Sequence, residues 1–266
     1  MNILKNKKIE VIMAKDNLEE RWYILQPVCY EAIEMFKKDI QDHNEMKLIQ
    51  SDLMRFEIGI CLIPLVTGEK ILLERIKHIR KGIESDIGIS IPLIRISENS
   101  SLKPFEYSFS IRMKRLMKFE IKANKLLSLE NNKVKQKIVG KIIKEPTFGI
   151  PAIWIGKNKL QEAIDKGYTI VDTPAIICTS LNNLIRENIV EIFTYDMSKN
   201  ILENVLKNNK LLVKDCLSKF EPIEIKNFLA MILEKKKSLL NIDKILELIL
   251  FYSEDKNNME KIVKKS

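Results

Sequence analysis

GIPAIWIGKNKLQEAIDKGYTIVD, residues 149–172, decides the reading of the whole chain. Its first seven residues, Gly149 to Ile155, form an apolar run of strand length. LQEAIDKG predicts a short helix stopped by Gly167, and YTIVD, Tyr168 to Asp172, predicts one more strand. A strand, a helix and a strand within so few residues point to a mixed α/β module.

Working upstream, the same texture begins at Phe56. FEIGICLIPLV, Phe56 to Val66, is a second apolar run of strand length, closed by the turn pair Thr67-Gly68. A helix is expected from about Glu69 to Ser85. Its inner face is Leu72, Ile76, Ile79 and Ile83; Glu74, Lys77, Arg80 and Lys81 lie outside, and Gly88 closes the unit. ISIPLIRI, Ile89 to Ile96, reads as a strand near a sheet edge, because Pro92 has no amide to give to a ladder. Phe105, Tyr107, Phe109, Ile111 and Met113 alternate as a third strand. Residues 114–145 are short and basic, and the weak alternation in KFEIKANKLLSL suits a small subdomain of strands and turns.

Downstream, Thr179 or Ser180 is expected to cap a helix carrying Leu181, Leu184, Ile185, Ile189 and Ile192. Past Phe193 the pattern is helical throughout. Ser198 precedes Ile201, Leu202, Val205 and Leu206; Leu211, Leu212 and Leu217 follow. Pro222 stands where a first helical turn accepts it, before Ile225, Phe228, Leu229 and Ile232, and Ile242, Ile245, Leu246 and Ile249 finish the bundle. At the other end, residues 1–50 read as a broken amphipathic arm. Asp16 caps Leu18, Trp22 and Leu25, Pro27 interrupts, and Cys29, Ile33, Phe36 and Ile40 resume at helical spacing.

Composition narrows the function classes. The 266 residues carry 45% hydrophobic content, enough for real cores, with only eight glycines and eight prolines. A formal charge of +9 favours acidic partners. The lysines, however, are scattered from Lys5 to Lys265, as on a solvated surface. Cysteines at 29, 61, 178 and 216 lack short paired spacing, and only His43 and His78 are present to join them, which argues against zinc and fits reduced thiols. No run of about 18 apolar residues and no leader pattern appear, so neither a membrane span nor secretion is expected. Neither histidine sits near a Ser or Cys nucleophile motif, and no Gly-rich phosphate loop precedes a helix. The carboxylate pairs Glu19-Glu20 and Glu162 with Asp165 fall on helix surfaces. No catalytic, cofactor-binding or metal-binding residue is therefore assigned. The basic 112–144 segment with Phe119 keeps a nucleic-acid reading open as an outsider, but no aromatic-glycine RNA signature accompanies it.

Four stretches in order carry a resemblance: GICLIPLV with the helix LLERIKHIRKGIESDIGISIP; IRISENSSLKPFEY; KEPTFGIPAIWI; and GYTIVDTPAIICTSLNNLIRENIVEIF. Together they resemble the cytosolic domain of the type III secretion and flagellar export-gate family (FHIPEP family). The resemblance implies a split α/β first subdomain at 51–113 and 146–178, a small inserted α/β subdomain at 114–145, and an all-helical subdomain at 179–266. It implies a non-enzymatic, cytosolic docking platform at the inner membrane. The expected partners are export chaperones, secreted substrates and ATPase-complex components, with a homo-oligomeric, nonameric ring. No cofactor and no nucleic acid are implied.

By the same resemblance, Glu145, Phe148 and Thr179 match residues lining the chaperone groove, and Ser180 stands where the family has a histidine. On the residues alone, Phe148 in the Pro146-to-Gly149 turn holds its ring at the surface or enters the core, and Thr179 opens a helix with free backbone donors or is simply its cap. The family's glycine-proline turn in the inserted subdomain is replaced around Ile121 to Leu126. The transmembrane half and a fourth subdomain have no counterpart in the sequence. A stand-alone homologue acting as adaptor or regulator is the alternative to a gate platform.

Overall fold

The computed structural model describes residues 52–67, 71–122 and 124–251. The expected arm at 1–50, with Cys29 and His43, lies outside the described residues.

The first module is a four-stranded sheet in the order β2-β1-β3-β4. Strand β1 (Met54–Ile58) buries Met54, Phe56 and Ile58 and exposes its alternate residues more, the period-two pattern of a half-buried strand. The apolar run Phe56–Val66, expected as one strand, stops at Ile58. Gly59 donates its amide to the Glu106 carbonyl (2.8 Å) and Cys61 donates to Pro104 (2.9 Å). The contact is so close that a Cβ on Gly59 would lie 2.1 Å from the Lys103 carbonyl oxygen. The chain then turns through a 3₁₀ segment and α1 (Pro64–Thr67). Helix α2 (Ile71–Ile87) buries Leu72, Ile76 and Ile83. This crossover brings β2 (Ile94–Glu98) parallel to β1 at the sheet edge.

Residues 89–93, expected within that strand, are outside it. The polar backbone groups of Ile91 are taken by α2 side chains: Arg80 Nε donates to the Ile91 carbonyl (3.1 Å), and Glu84 accepts the Ile91 amide (2.9 Å). A backbone satisfied by side chains has no need of a ladder.

Strand β3 (Glu106–Ile111) is buried on both faces and pairs antiparallel with β1 and with β4 (Lys114–Glu120). The turn between β3 and β4 is Arg112-Met113, both at positive φ (46° and 66°), the two-residue geometry whose twist matches a hairpin. That turn places 114–120 in the first sheet and corrects the expected start of the inserted subdomain. Rings meet in tilted pairs on this sheet, with centroids 5.7 Å apart for Phe56 and Tyr107 and 6.1 Å apart for Tyr107 and Phe119.

The second sheet has the order β6-β7-β5-β8, all antiparallel, from β5 (Lys125–Leu129), β6 (Ile142–Lys144), β7 (Pro151–Gly156) and β8 (Thr169–Val171). Here the expected second boundary also moves. Strands β7 and β8 fall within the 146–178 stretch expected to belong to the split first subdomain, yet Leu127 of β5 pairs with Trp154 on one side and Val171 on the other. The interruption of the first module thus runs over 125–171. It has its own core of Ile138, Ile153, Ile155, Ala163 and Tyr168, closed by the short α3 (Leu160–Asp165).

Helix α4 (Thr173–Glu187) returns the chain to the first module and runs parallel to α2. Arg75 of α2 meets Asp172 at one end (3.2 and 3.4 Å), and Arg186 meets Asp86 at the other. Beyond it, α5 (Ile189–Ile192), α6 (Tyr195–Asn208), α7 (Lys210–Lys219), α8 (Pro222–Glu234) and α9 (Ile242–Phe251) form the all-helical part. Their shared core includes Leu202, Val213, Cys216, Leu229, Ile232, Leu246 and Ile249. Thr194, not Ser198, caps α6, accepting the Met197 amide (3.2 Å). Ser198 is buried inside that helix, and Pro222 opens α8. The bundle joins the first module where the Leu239 amide donates to the Ile87 carbonyl (2.7 Å). The fold is therefore mixed α+β, with an interrupted first module, an inserted sheet and a helical end.

Candidate protein-docking site

The site is built on the turn that links the edge strand β6 to β7. Glu145 leaves β6 with its amide donated to the Ile150 carbonyl (2.8 Å), and its own carbonyl accepts the Gly149 amide (3.0 Å). Pro146 fixes the first bend, and Gly149 supplies the left-handed residue (φ 68°) that an L side chain adopts at a cost. The Glu145 carboxylate closes the loop by accepting the Phe148 amide through Oε2 (2.7 Å). Inside this turn the Phe148 ring has nowhere to bury, and 62% of the residue is exposed.

A second set of bonds ties the turn to the rest of the molecule. Thr147 Oγ1 lies 3.0 Å from Ser180 Oγ on α4. Ser180 donates to the Ile176 carbonyl one turn back (2.9 Å), and its oxygen lies 3.4 Å from the Tyr107 hydroxyl of β3. One hydroxyl proton and two lone pairs are enough for all three contacts. Burial pushes the Tyr107 hydroxyl well above the usual tyrosine range. The Ser180 bond opposes that shift, and the negative charge of Glu145 adds to it.

Each expected partner-binding residue now has a place. Phe148 is a surface ring, not a core residue. Glu145 and Ser180 are buried, and Thr179 is exposed. Neither Thr179 nor Ser180 opens a helix: α4 begins at Thr173, so both sit within it, and the expected free backbone donors are not there. The cap is Asp172, whose Oδ1 accepts the Ala175 amide (2.7 Å), with Pro174 in the first turn. Glu145, Phe148 and Ser180 are brought together through Thr147, which the sequence reading did not single out, and through Tyr107, which it read only as core. Asp-Thr-Pro is a cap signature visible in the sequence, and it outcompetes the later Thr179-Ser180 pair.

A separate cleft of about 360 Å³ lies where α2 and α4 end against the 236–238 turn, with Asp86, Arg186, Glu187 and Lys236 on its walls. Arg186 and Asp86 pair with each other across it. Among the described residues, no group of three or more His, Cys, Asp or Glu comes together as a metal site requires. No described helix is long and apolar enough to cross a membrane.

The FHIPEP family model matches residues 14–266, nearly the whole chain. This chain belongs to the FHIPEP family. Among curated relatives it is 35% identical over 210 residues to flagellar biosynthesis protein FlhA of Borreliella burgdorferi, covering 78% of this chain and 30% of that protein. With FlhA of Treponema pallidum it is 33% identical over 202 residues, covering 75% and 29%. This FHIPEP chain thus spans about 30% of the length of these relatives. Among solved structures, the Chlamydia pneumoniae CdsV protein superposes with a TM-score of 0.70 at 16% identity, over 80% of this chain and 65% of that one. CdsV in complex with CdsO gives 0.69 at 15% identity, over 83% and 65%. The nonameric EPEC SctV-C gives 0.61 at 15% identity, over 82% and 65%. At these identities the likeness is one of fold. The family is that of flagellar and type III secretion export-gate components.

Proposed function

We propose that this FHIPEP chain is a non-catalytic docking platform of a type III export gate, and that it receives export chaperones or their substrates at the Phe148 turn. The carrying observation is an aromatic ring left 62% exposed on a turn whose backbone is held by its own hydrogen bonds. Exposed aromatic surface is a cost in a free monomer and an anchor in a complex, where a few such residues dominate the binding energy. A turn fixed in advance loses little entropy on binding. Thr179, exposed on α4 next to Ser180, completes the surface. The platform sits on the cytosolic side of the inner membrane. Assembly as a ring of like subunits is supported by the nonameric SctV-C, and a further protein partner by the CdsV–CdsO complex.

Titrating purified export chaperones encoded in the same genome against the full chain and Phe148→Ala tests the reading. At least one chaperone binds, and the variant weakens it by about 1–3 kcal/mol, the range for loss of an aromatic anchor. Equal affinity for both proteins removes Phe148 from the interface.

A further inference from the structure

We infer that Glu145 and Ser180 are positioning residues that clamp the Phe148 turn from two sides. The inference takes its significance from the docking function proposed for Phe148 but rests on separate observations. Glu145 is a carboxylate with only 6% exposure and no ion-pair partner among the described residues. An anion in such a place is costly unless its oxygens are bonded. Its side-chain hydrogen bond is the 2.7 Å contact from the Phe148 amide. The charge is therefore spent on the backbone of the residue whose ring it presents.

Ser180 works from the opposite side. It is 1% exposed, so its oxygen is out of a partner's reach, and it faces Thr147, the residue between Pro146 and Phe148. Behind it stand the Ile176 carbonyl and the Tyr107 hydroxyl, on a helix and a strand of the first module. Thr147 is thereby pinned to a rigid body outside its own sheet. The clamp fixes Phe148 relative to both the inserted sheet and α4, the two surfaces that flank it.

Amide hydrogen exchange of the full chain, read residue by residue by NMR, tests this without any partner. In Glu145→Ala the Phe148 amide exchanges roughly tenfold faster or more, as expected when a charge-assisted hydrogen bond is lost. Glu145→Gln, which keeps an acceptor, restores much of the protection. Thr147→Val and Ser180→Ala speed exchange at Phe148 and Gly149, whereas Thr147→Ser does not. The Leu127 and Ile153 amides in the β5–β7 pair keep wild-type rates throughout. Wild-type exchange at Phe148 in both Glu145→Ala and Thr147→Val overturns the clamp. So does equal loss in Thr147→Val and Thr147→Ser, because the hydroxyl is then irrelevant. Chaperone titration of Thr147→Val separates the two claims: a loosened turn with unchanged affinity leaves the clamp standing and removes the docking role of Phe148.

Discussion

Replacing Phe148 with alanine is expected to leave the stability of the protein almost intact, and the size of the effect follows from its exposure. Full burial of a phenylalanine side chain contributes about 1.5–3 kcal/mol. With 62% of Phe148 exposed, little more than a third of that burial is in play, so the loss is about 0.5–1 kcal/mol. The turn's hydrogen bonds use the Phe148 backbone and survive the substitution. Phe109 is the control. It is fully buried in β3, and Phe109→Ala removes a core ring at a cost of about 3–5 kcal/mol. Urea denaturation followed by circular dichroism, with both variants against wild type, separates the two by their midpoints. A Phe148→Ala midpoint shifted as far as that of Phe109→Ala refutes the reasoning. The ring is then structural, and loss of chaperone binding in that variant reflects misfolding.

Two glycines give opposite expectations. Gly59→Ala drives a methyl against backbone oxygens that cannot move aside and is expected to cost about 3 kcal/mol or more, seen as loss of soluble folded protein or a large drop in melting temperature. Gly149→Ala meets no atom within 4 Å and carries only the left-handed backbone penalty, about 1–2 kcal/mol, so equal effects of the two contradict the packing described. Alkaline pH is a further test. Burial pushes the Cys178 and Cys216 thiols from near 9.0 up to about 11, and raises the Tyr107 hydroxyl above its usual 10.0. The unfolded chain ionises first, so this stabilisation is complete below about pH 9 and is lost as pH rises through the folded values. Urea midpoints measured from pH 8 to 11 fall over that window, and less steeply in Cys178→Ala/Cys216→Ala. A flat profile is the contrary result.

The elements most legible in the sequence were those with a strong local signal. The apolar stripe of α2, the apolar run of β7, the Gly167 stop after α3 and Pro222 at the start of α8 each mark their element locally. The misreadings have physical causes. The run Phe56–Val66 is apolar enough for a strand throughout, yet the strand stops before Gly59, whose backbone passes against residues 103–104, and Pro64 then opens a short helix. Residues 89–93 look like a strand, but at their centre Ile91 gives its amide to Glu84 and its carbonyl to Arg80. Thr179 and Ser180 look like caps only if Asp172, seven residues upstream of Thr179, is overlooked as the better one. Of the candidate site, the ring at Phe148 and its turn were visible in Pro146 and Gly149. The alternatives of surface or core were separated by the 62% exposure of Phe148 in the folded chain.

Taken alone, the sequence indicated the family and the class of those segments with a strong local signal, because helical and strand periodicity, turn residues and export-gate motifs are properties of neighbouring residues. Only the tertiary structure decided which strands share a sheet. Pairing of Leu127 with Trp154 and Val171 depends on hydrogen bonds between segments far apart in the chain. The role of Ser180 was decided the same way, since its hydroxyl acquires meaning only when Tyr107 and Thr147, from two different sheets, arrive beside it.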